Sequence, residues 1–214
     1  MAANSHLLTD RYNREADAYR DLWAPILRIA GSRFLQEIPS GTVNRVLDLG
    51  TGVGGLVPDI QQRFPEARIL GVDRSAGMLA LSTSGHPRAV MDATKLAISS
   101  ESVDVVLSIF MLFHVPDYAA AVREIARVLK PGGRLQLADI VTQKSVQAVC
   151  GIVPQLWADC IGGAAVEEEY LDAIRKAGFS DTRVVDRVDY FSKSPESTRR
   201  LTETFGAKSV VIAA

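Results

Sequence analysis

Thiols, imidazoles and any surplus of charge are scarce in this chain. Its two cysteines, Cys150 and Cys160, stand in no C-x-x-C pair, which argues against a disulfide framework and a thiolate zinc centre. The three histidines, His6, His86 and His114, share no ligand spacing, so no metal site is expected. Lys and Arg number 24 against 25 Asp and Glu, a formal charge of −1. No electrostatic surplus therefore draws the chain to nucleic acid or to an anionic membrane, and neither is expected as a partner. The apolar runs are short and punctuated, so no membrane span is indicated. Residues 1–10 lack the basic start and apolar stretch of a signal peptide, and a cytoplasmic location is the expectation. No repeat, low-complexity tract or linker interrupts the 214 residues, a length that suits a single domain over 1–214.

What the chain does contain is an alternation of periods. Residues 1–40 read as helical. Tyr12 and Tyr19 lie seven apart, which puts them on one face of a helix, and a second helix runs from about 25 to 37 until Pro39-Ser40-Gly41 closes it. Strands then follow over 45–49, 68–72, 88–91, 103–109 and 134–140. Helices lie between them at 56–64, 76–81 (with Ser75 as its cap) and 118–129. Lys130-Pro131-Gly132-Gly133 stops the last of these helices. Such alternation implies an α/β fold: a parallel sheet with helices on both faces and right-handed crossovers. Beyond 141 the rhythm changes to a helix over 167–177, strands over 182–191 and 208–213, and a helix between them over 195–205. The last two strands suit an antiparallel pair that finishes the sheet.

One loop concentrates the chemistry. Val46-Leu47-Asp48-Leu49 leads into Gly50-Thr51-Gly52-Val53-Gly54-Gly55, and Asp73 ends the next apolar run. Glycines after a buried strand let the backbone turn sharply and approach a ligand. The letters satisfy two patterns at once. Gly50, Gly52 and Gly55 fit the dinucleotide spacing G-x-G-x-x-G, whereas Asp48 with Gly50, Gly52 and Gly54 fits D-x-G-x-G-x-G. Four features favour the second: Asp48 two residues before the first glycine, Asp92 at the end of the third strand, the helical preamble, and the Lys-Pro-Gly-Gly turn before the fifth strand.

Leu47-Asp48-Leu49-Gly50-Thr51-Gly52-Val53-Gly54, Gly71-Val72-Asp73-Arg74-Ser75 with Met78-Leu79, and Leu129-Lys130-Pro131-Gly132-Gly133 together resemble the class I S-adenosylmethionine-dependent methyltransferases. The resemblance covers nearly the whole chain. It implies a Rossmann-like sheet of seven strands in the order 3-2-1-4-5-7-6, with strand seven antiparallel. A helical lid over 1–40 would precede a cofactor-binding core over 41–140, and 141–214 would supply a substrate-side cover and the closing strands.

The resemblance also implies roles. Gly50, Gly52 and Gly54 let amides reach the methionine part and ribose of S-adenosyl-L-methionine, with Thr51 between them and Ser108 at the end of strand four. Asp48 accepts from its ammonium group, directly or through water, and Asp73 takes both ribose hydroxyls, since a carboxylate accepts two bonds in parallel. Asp92 accepts from the adenine amine beside the Ala93 amide, or else caps a helix over 94–97. Arg74 and Met78 sandwich the ring, or Met78 is core. Tyr12 and Tyr19 resemble lid tyrosines, and an aromatic ring beside a sulfonium is electrostatically sensible.

Methyl transfer from a sulfonium is an in-line displacement that needs alignment and exclusion of water more than acid–base help. His114 is the one catalytic candidate, as a base, with pocket lining or loop anchoring as the alternative. Residues 108–117, expected to overhang the carboxyl edge of the sheet, are mostly apolar and lack the N-P-P-Y-like element of nucleic-acid amino methyltransferases, so Phe110 is expected to face a small organic acceptor. Residues 156–165, with Trp157 and Cys160, resemble a stretch of the arsenite methyltransferases. The family's cysteine after strand four is missing here, and so are its N-terminal ones. The expected function is C-, O- or N-methylation of a small molecule, with Phe110, Trp157 and Cys160 on the substrate side. The alternatives are an arsenite methyltransferase using Cys160, a cofactor-binding protein without catalysis, and an NAD-dependent oxidoreductase.

Overall fold

A computed structural model describes residues 2–39, 41–146, 163–188, 191 and 196–214, with backbone alone at 2–6, 197 and 201. Three helices open the chain: α1 (Ala2–Arg14), α2 (Ala16–Leu22) and α3 (Ala24–Leu35). The alternating part runs β1 (Arg45–Leu49), α4 (Val57–Arg63), β2 (Arg68–Asp73), α5 (Ala76–Ala80), β3 (Arg88–Val90), β4 (Val103–Ile109), α6 (Tyr118–Val128) and β5 (Leu129–Thr142). After it come β6 (Ala165–Val166), α7 (Glu167–Lys176), β7 (Arg183–Val188), α8 (Glu196–Phe205) and β8 (Lys208–Ala213).

The sheet order is β3-β2-β1-β4-β5-β8-β7, with β8 antiparallel to both neighbours. Apart from the two-residue β6, which pairs in parallel with Val141 and Thr142 of β5, this is the expected order 3-2-1-4-5-7-6. Side chains alternate between two cores, one on each face, as a period of two demands. Leu47, Leu49, Val106, Leu135 and Leu137 pack with Val122 and Ile125 of α6 and Ile174 of α7. Val46, Ile69, Val105 and Leu107 pack on the other face with Leu35 of α3 and Ile60 of α4. Each such side chain contributes about 1.5–3 kcal/mol by leaving water.

Local chemistry sets the element ends. Ser75 Oγ accepts from Met78 N at 3.1 Å, capping α5, and Asp117 Oδ1 accepts from Ala120 N at 2.8 Å, capping α6. Glu167, Glu168 and Glu169 open α7 while Arg175 and Lys176 close it, which matches the helix dipole.

Three expectations need correction. Tyr12 and Tyr19 do not share one helix, because Glu15 breaks the run between α1 and α2 with φ −101° and ψ 12°. The strand expected at 134–140 already begins at Leu129, which pairs with Val103 across an irregularity that takes up the glycine turn. No helix forms over 94–97; Asp92 and Lys95 make an isolated bridge instead.

Candidate active site

The carboxyl ends of β1, β2 and β4 meet where open parallel sheets bind ligands. Past Leu49 the chain turns at Gly50, with φ +81°. The Gly50 and Thr51 amides both donate to Val72 O of β2, at 2.7 and 3.0 Å. Gly52 follows with φ +55°, and its N–H donates to Asp73 Oδ2 at 2.9 Å. Asp73 Oδ1 accepts from Ser75 N at 2.8 Å. The carboxylate at the end of β2 is thus fixed by one amide on each oxygen, and each oxygen keeps a further lone pair. Burial pushes the Asp73 pKa up against the pull of these amides and of Arg74.

Asp48 lies beneath the turn, buried, with Oδ2 accepting from Thr51 Oγ1 at 2.6 Å. Burial raises its pKa to about 6, the Thr51 bond opposes that rise, and the nearby Asp73 charge adds to it. At the far side Arg74 pairs with Asp92 at 3.6 Å, and Asp92 Oδ1 accepts from both the amide and the hydroxyl of Thr94. Burial alone would raise the Asp92 pKa, but the Thr94 bonds and the Arg74 charge hold it below the usual value.

Helix α1 covers this edge. Asn13 Oδ1 accepts from Ser75 Oγ at 2.7 Å and from Gly77 N at 2.9 Å, pinning α1 to the start of α5. Tyr12 Oη lies 2.8 Å from His114 Nε2, and the Tyr12 and Tyr19 rings meet edge to face at 5.8 Å. The tyrosines therefore come together across the helix break rather than along one helix. His114 ends the 3-10 turn at Leu112–His114, with its ring 3.8 Å from that of Phe113. Burial, aided by the Arg11 charge, pushes its pKa down to about 3, so the imidazole is neutral throughout the physiological range.

These elements line a concave pocket that is partly open to solvent, the form that small-molecule sites take. Of the residues expected at the cofactor, Tyr12, Tyr19, Gly50, Gly52, Asp73, Arg74, Met78, Asp92 and Ala93 line it, and so do Phe110 and His114. Met78 is also 3% exposed, so it is wall and core at once. Four expected residues do not line the space. Asp48 and Thr51 bond to each other below the turn, and Gly54 packs on Ser82 and Ser84. Ser108 is buried in β4 with its hydroxyl unpartnered. Trp157 and Cys160, like Cys150, lie outside the described residues.

The sequence reading missed Leu8, Thr9, Met91, Met111 and Val115 in the wall, and Asn13 behind it. An asparagine on a polar helix surface gives no sign that it docks. Val115 and Met111, by contrast, sit in the apolar run already assigned to this edge. Among the described residues no three His, Cys, Asp or Glu side chains converge on a common point, and no helix is long and apolar enough to cross a membrane.

A family described as "Methyltransferase domain" matches residues 47–137. A malonyl-[acyl-carrier protein] O-methyltransferase from Hahella chejuensis is 29% identical over 77% of this chain and 59% of its own length. A demethylmenaquinone methyltransferase from a Mycobacterium species (strain KMS) is 32% identical over 65% of this chain and 62% of its own length. The chain thus spans about three fifths of these curated relatives. Among solved structures, an arsenic(III) S-adenosylmethionine methyltransferase from Chlamydomonas reinhardtii superposes with a TM-score of 0.70 at 22% identity, covering 87% of this chain and 72% of that one. That likeness is one of fold.

Proposed function

We propose, from the match of residues 47–137 to the methyltransferase domain family, that this chain is a class I S-adenosylmethionine-dependent methyltransferase and methylates a small, largely uncharged organic acceptor. The observation that carries the acceptor class is the division of the cavity wall. Its acidic and basic side chains, Asp73, Arg74 and Asp92, lie at the ends of β2 and β3, whereas the wall from the end of β4 onward is Ile109, Phe110, Met111 and Val115 with a neutral His114. Among the described residues no charged side chain lines the second half. Quinol-like or phenolic rings, or the acidic carbon of an acyl thioester, suit such a wall.

The donor set supports the cofactor roles. Asp73 keeps the lone pairs that two ribose hydroxyls would require, Asp92 and the Ala93 amide would read the adenine edge, and Met78 and Arg74 would flank the ring. When bound, S-adenosylmethionine supplies a methyl group already activated by its sulfonium. The protein's share is alignment and exclusion of water, for which α1 supplies the cover. His114, neutral and with a pKa near 3, is a weak proton acceptor. We read it as the anchor of Tyr12, whose ring and phenol oxygen would face the sulfonium.

The test is calorimetry with S-adenosylhomocysteine and with NAD, followed by a labelled-methyl assay on quinols, phenols, carboxylic acids, acyl thioesters and arsenite. Binding of S-adenosylhomocysteine and turnover of an uncharged organic acceptor are expected. Turnover of arsenite alone would move the reading to the metalloid class, and binding without any turnover would make this a cofactor-binding protein. Affinity for NAD alone would overturn the site assignment.

A pH dependence follows from Asp48. In the ligand-free protein its carboxyl, below the glycine turn, protonates below about pH 6, while an ammonium group linked to it through water would select the ionised form. Affinity for S-adenosylhomocysteine is therefore expected to be full above pH 7 and to fall as pH drops through 6, by about tenfold per unit well below it. Asp48→Asn should bind more weakly at pH 8 and lose this dependence. A profile equally steep in the variant would place the titrating group elsewhere.

A further inference from the structure

We infer that Asp139 and Tyr170, two buried side chains outside the cavity, are positioning residues that hold the cover helix α1 in place over it. The inference rests on the cofactor reading above. Asp139 sits on β5 on the same face as Leu135, Leu137 and Val141, among apolar core residues, and is 2% exposed. An aliphatic side chain would pack there, whereas a carboxylate must be compensated by donors. The donors are all neutral. Asp139 Oδ2 accepts from Phe113 N at 3.0 Å and from Tyr170 Oη at 2.7 Å, and Oδ1 accepts from Ile140 N at 3.0 Å.

The Phe113 amide gives this arrangement its reach. Phe113 is the middle residue of the turn Leu112–His114, and His114 passes from that turn to Tyr12 of α1. After β4 the chain is tied to β5 twice, by Phe110 N on Ala138 O at 2.7 Å and by Phe113 N on Asp139. The first tie is backbone to backbone and no side chain can alter it. The second depends on a carboxylate whose orientation Tyr170 sets from α7, with its own ring packed edge to face on Tyr118 at 5.2 Å. A contiguous chain thus runs from α7 through Asp139 and the turn to His114, Tyr12 and α1. Phe113, Asp139 and Tyr170 are absent from the cavity wall, so any effect of theirs on binding must pass through the turn.

A double-variant cycle tests this. Tyr170→Phe keeps the ring and removes only the hydroxyl; Tyr12→Phe does the same at the other end. Each alone is expected to weaken S-adenosylhomocysteine binding about fivefold, the worth of one net hydrogen bond. The double variant is expected to be little weaker than either, because one path is cut twice. Two independent losses that multiply, about 25-fold together, would overturn the inference. A second readout needs no ligand: the His114 imidazole, followed by NMR, should titrate closer to its ordinary range in Tyr170→Phe as well as in Tyr12→Phe. A His114 titration unmoved by Tyr170→Phe overturns the inference even where the cofactor reading holds. Should the wild-type protein bind no S-adenosylhomocysteine, the cofactor reading fails and the His114 titration alone decides the positioning. Asp139→Asn, which keeps shape and one acceptor oxygen, repeats both measurements if Tyr170→Phe does not fold.

Discussion

Asp73→Ala is expected to weaken binding of S-adenosylhomocysteine by roughly a hundredfold, about 3 kcal/mol, the largest loss at any single polar side chain of the site. The carboxylate has two tasks. It offers lone pairs to a ligand, and it holds the glycine turn and the start of α5 by accepting from Gly52 N and Ser75 N. Alanine removes both, so the ligand loses its partners and the turn that shapes its pocket loses a brace. Asp73→Asn separates the two tasks. Its amide oxygen can keep one backbone donor while its NH₂ opposes the other, so an intermediate loss is expected. Because Gly52 and Ser75 sit at a partly open edge, water replaces the lost acceptor there and the thermal midpoint should fall only modestly. Unchanged affinity in Asp73→Ala would show that the ribose is read elsewhere.

The parts of this fold that could be read in advance are those that rest on local pattern. The apolar, β-branched run of β4 and the capped helices α5 and α6 are specified within a few residues of themselves. So the order of elements followed from sequence, and the closing strands took their expected places. What local pattern hid are features made by distant partners. The break at Glu15 has no proline or glycine to announce it, yet Tyr12 and Tyr19 still meet, because the helices fold across each other as they cover the cavity. Asn13 becomes a brace only once α5 presents Ser75 and Gly77 to it.

Asp139 is the clearest such case. Among the residues of β5 it reads as an isolated acid before Ile140. Its three donors come from its own neighbour, from a turn 26 positions earlier and from a helix 31 positions later. Burial raises its pKa to about 7 against the pull of those donors, a tension that no window of sequence contains. The site is therefore half local and half tertiary. Glycine turn and acids are local, while the anchoring of the cover is tertiary.

Gly50→Ala is expected to produce the largest loss of stability from a single methyl group, about 2–4 kcal/mol, through two separable causes. The first is backbone conformation: φ of +81° lies in the region that L side chains adopt at a cost of about 1–2 kcal/mol. The second is space. A Cβ at this position would lie 2.4 Å from Met111 Cγ and 2.7 Å from Met111 Cβ, both inside van der Waals contact, and overpacking of this kind costs about 1–3 kcal/mol. The turn cannot slide away, because Gly50 N and Thr51 N both hang from Val72 O, so relief must come from Met111, which is itself part of the cavity wall. The thermal midpoint should drop by roughly 6–12 °C for a chain of this size, and cofactor binding should weaken with it as Met111 is pushed aside. Gly50→Ala combined with Met111→Gly, which removes both contacting carbons, should lose only the part due to φ relative to Met111→Gly alone, so that about half of the lost midpoint returns. A single variant that melts and binds like the wild type would show that the turn does not take this left-handed conformation. A double variant no better than the single would mean that backbone strain, rather than Met111, sets the penalty.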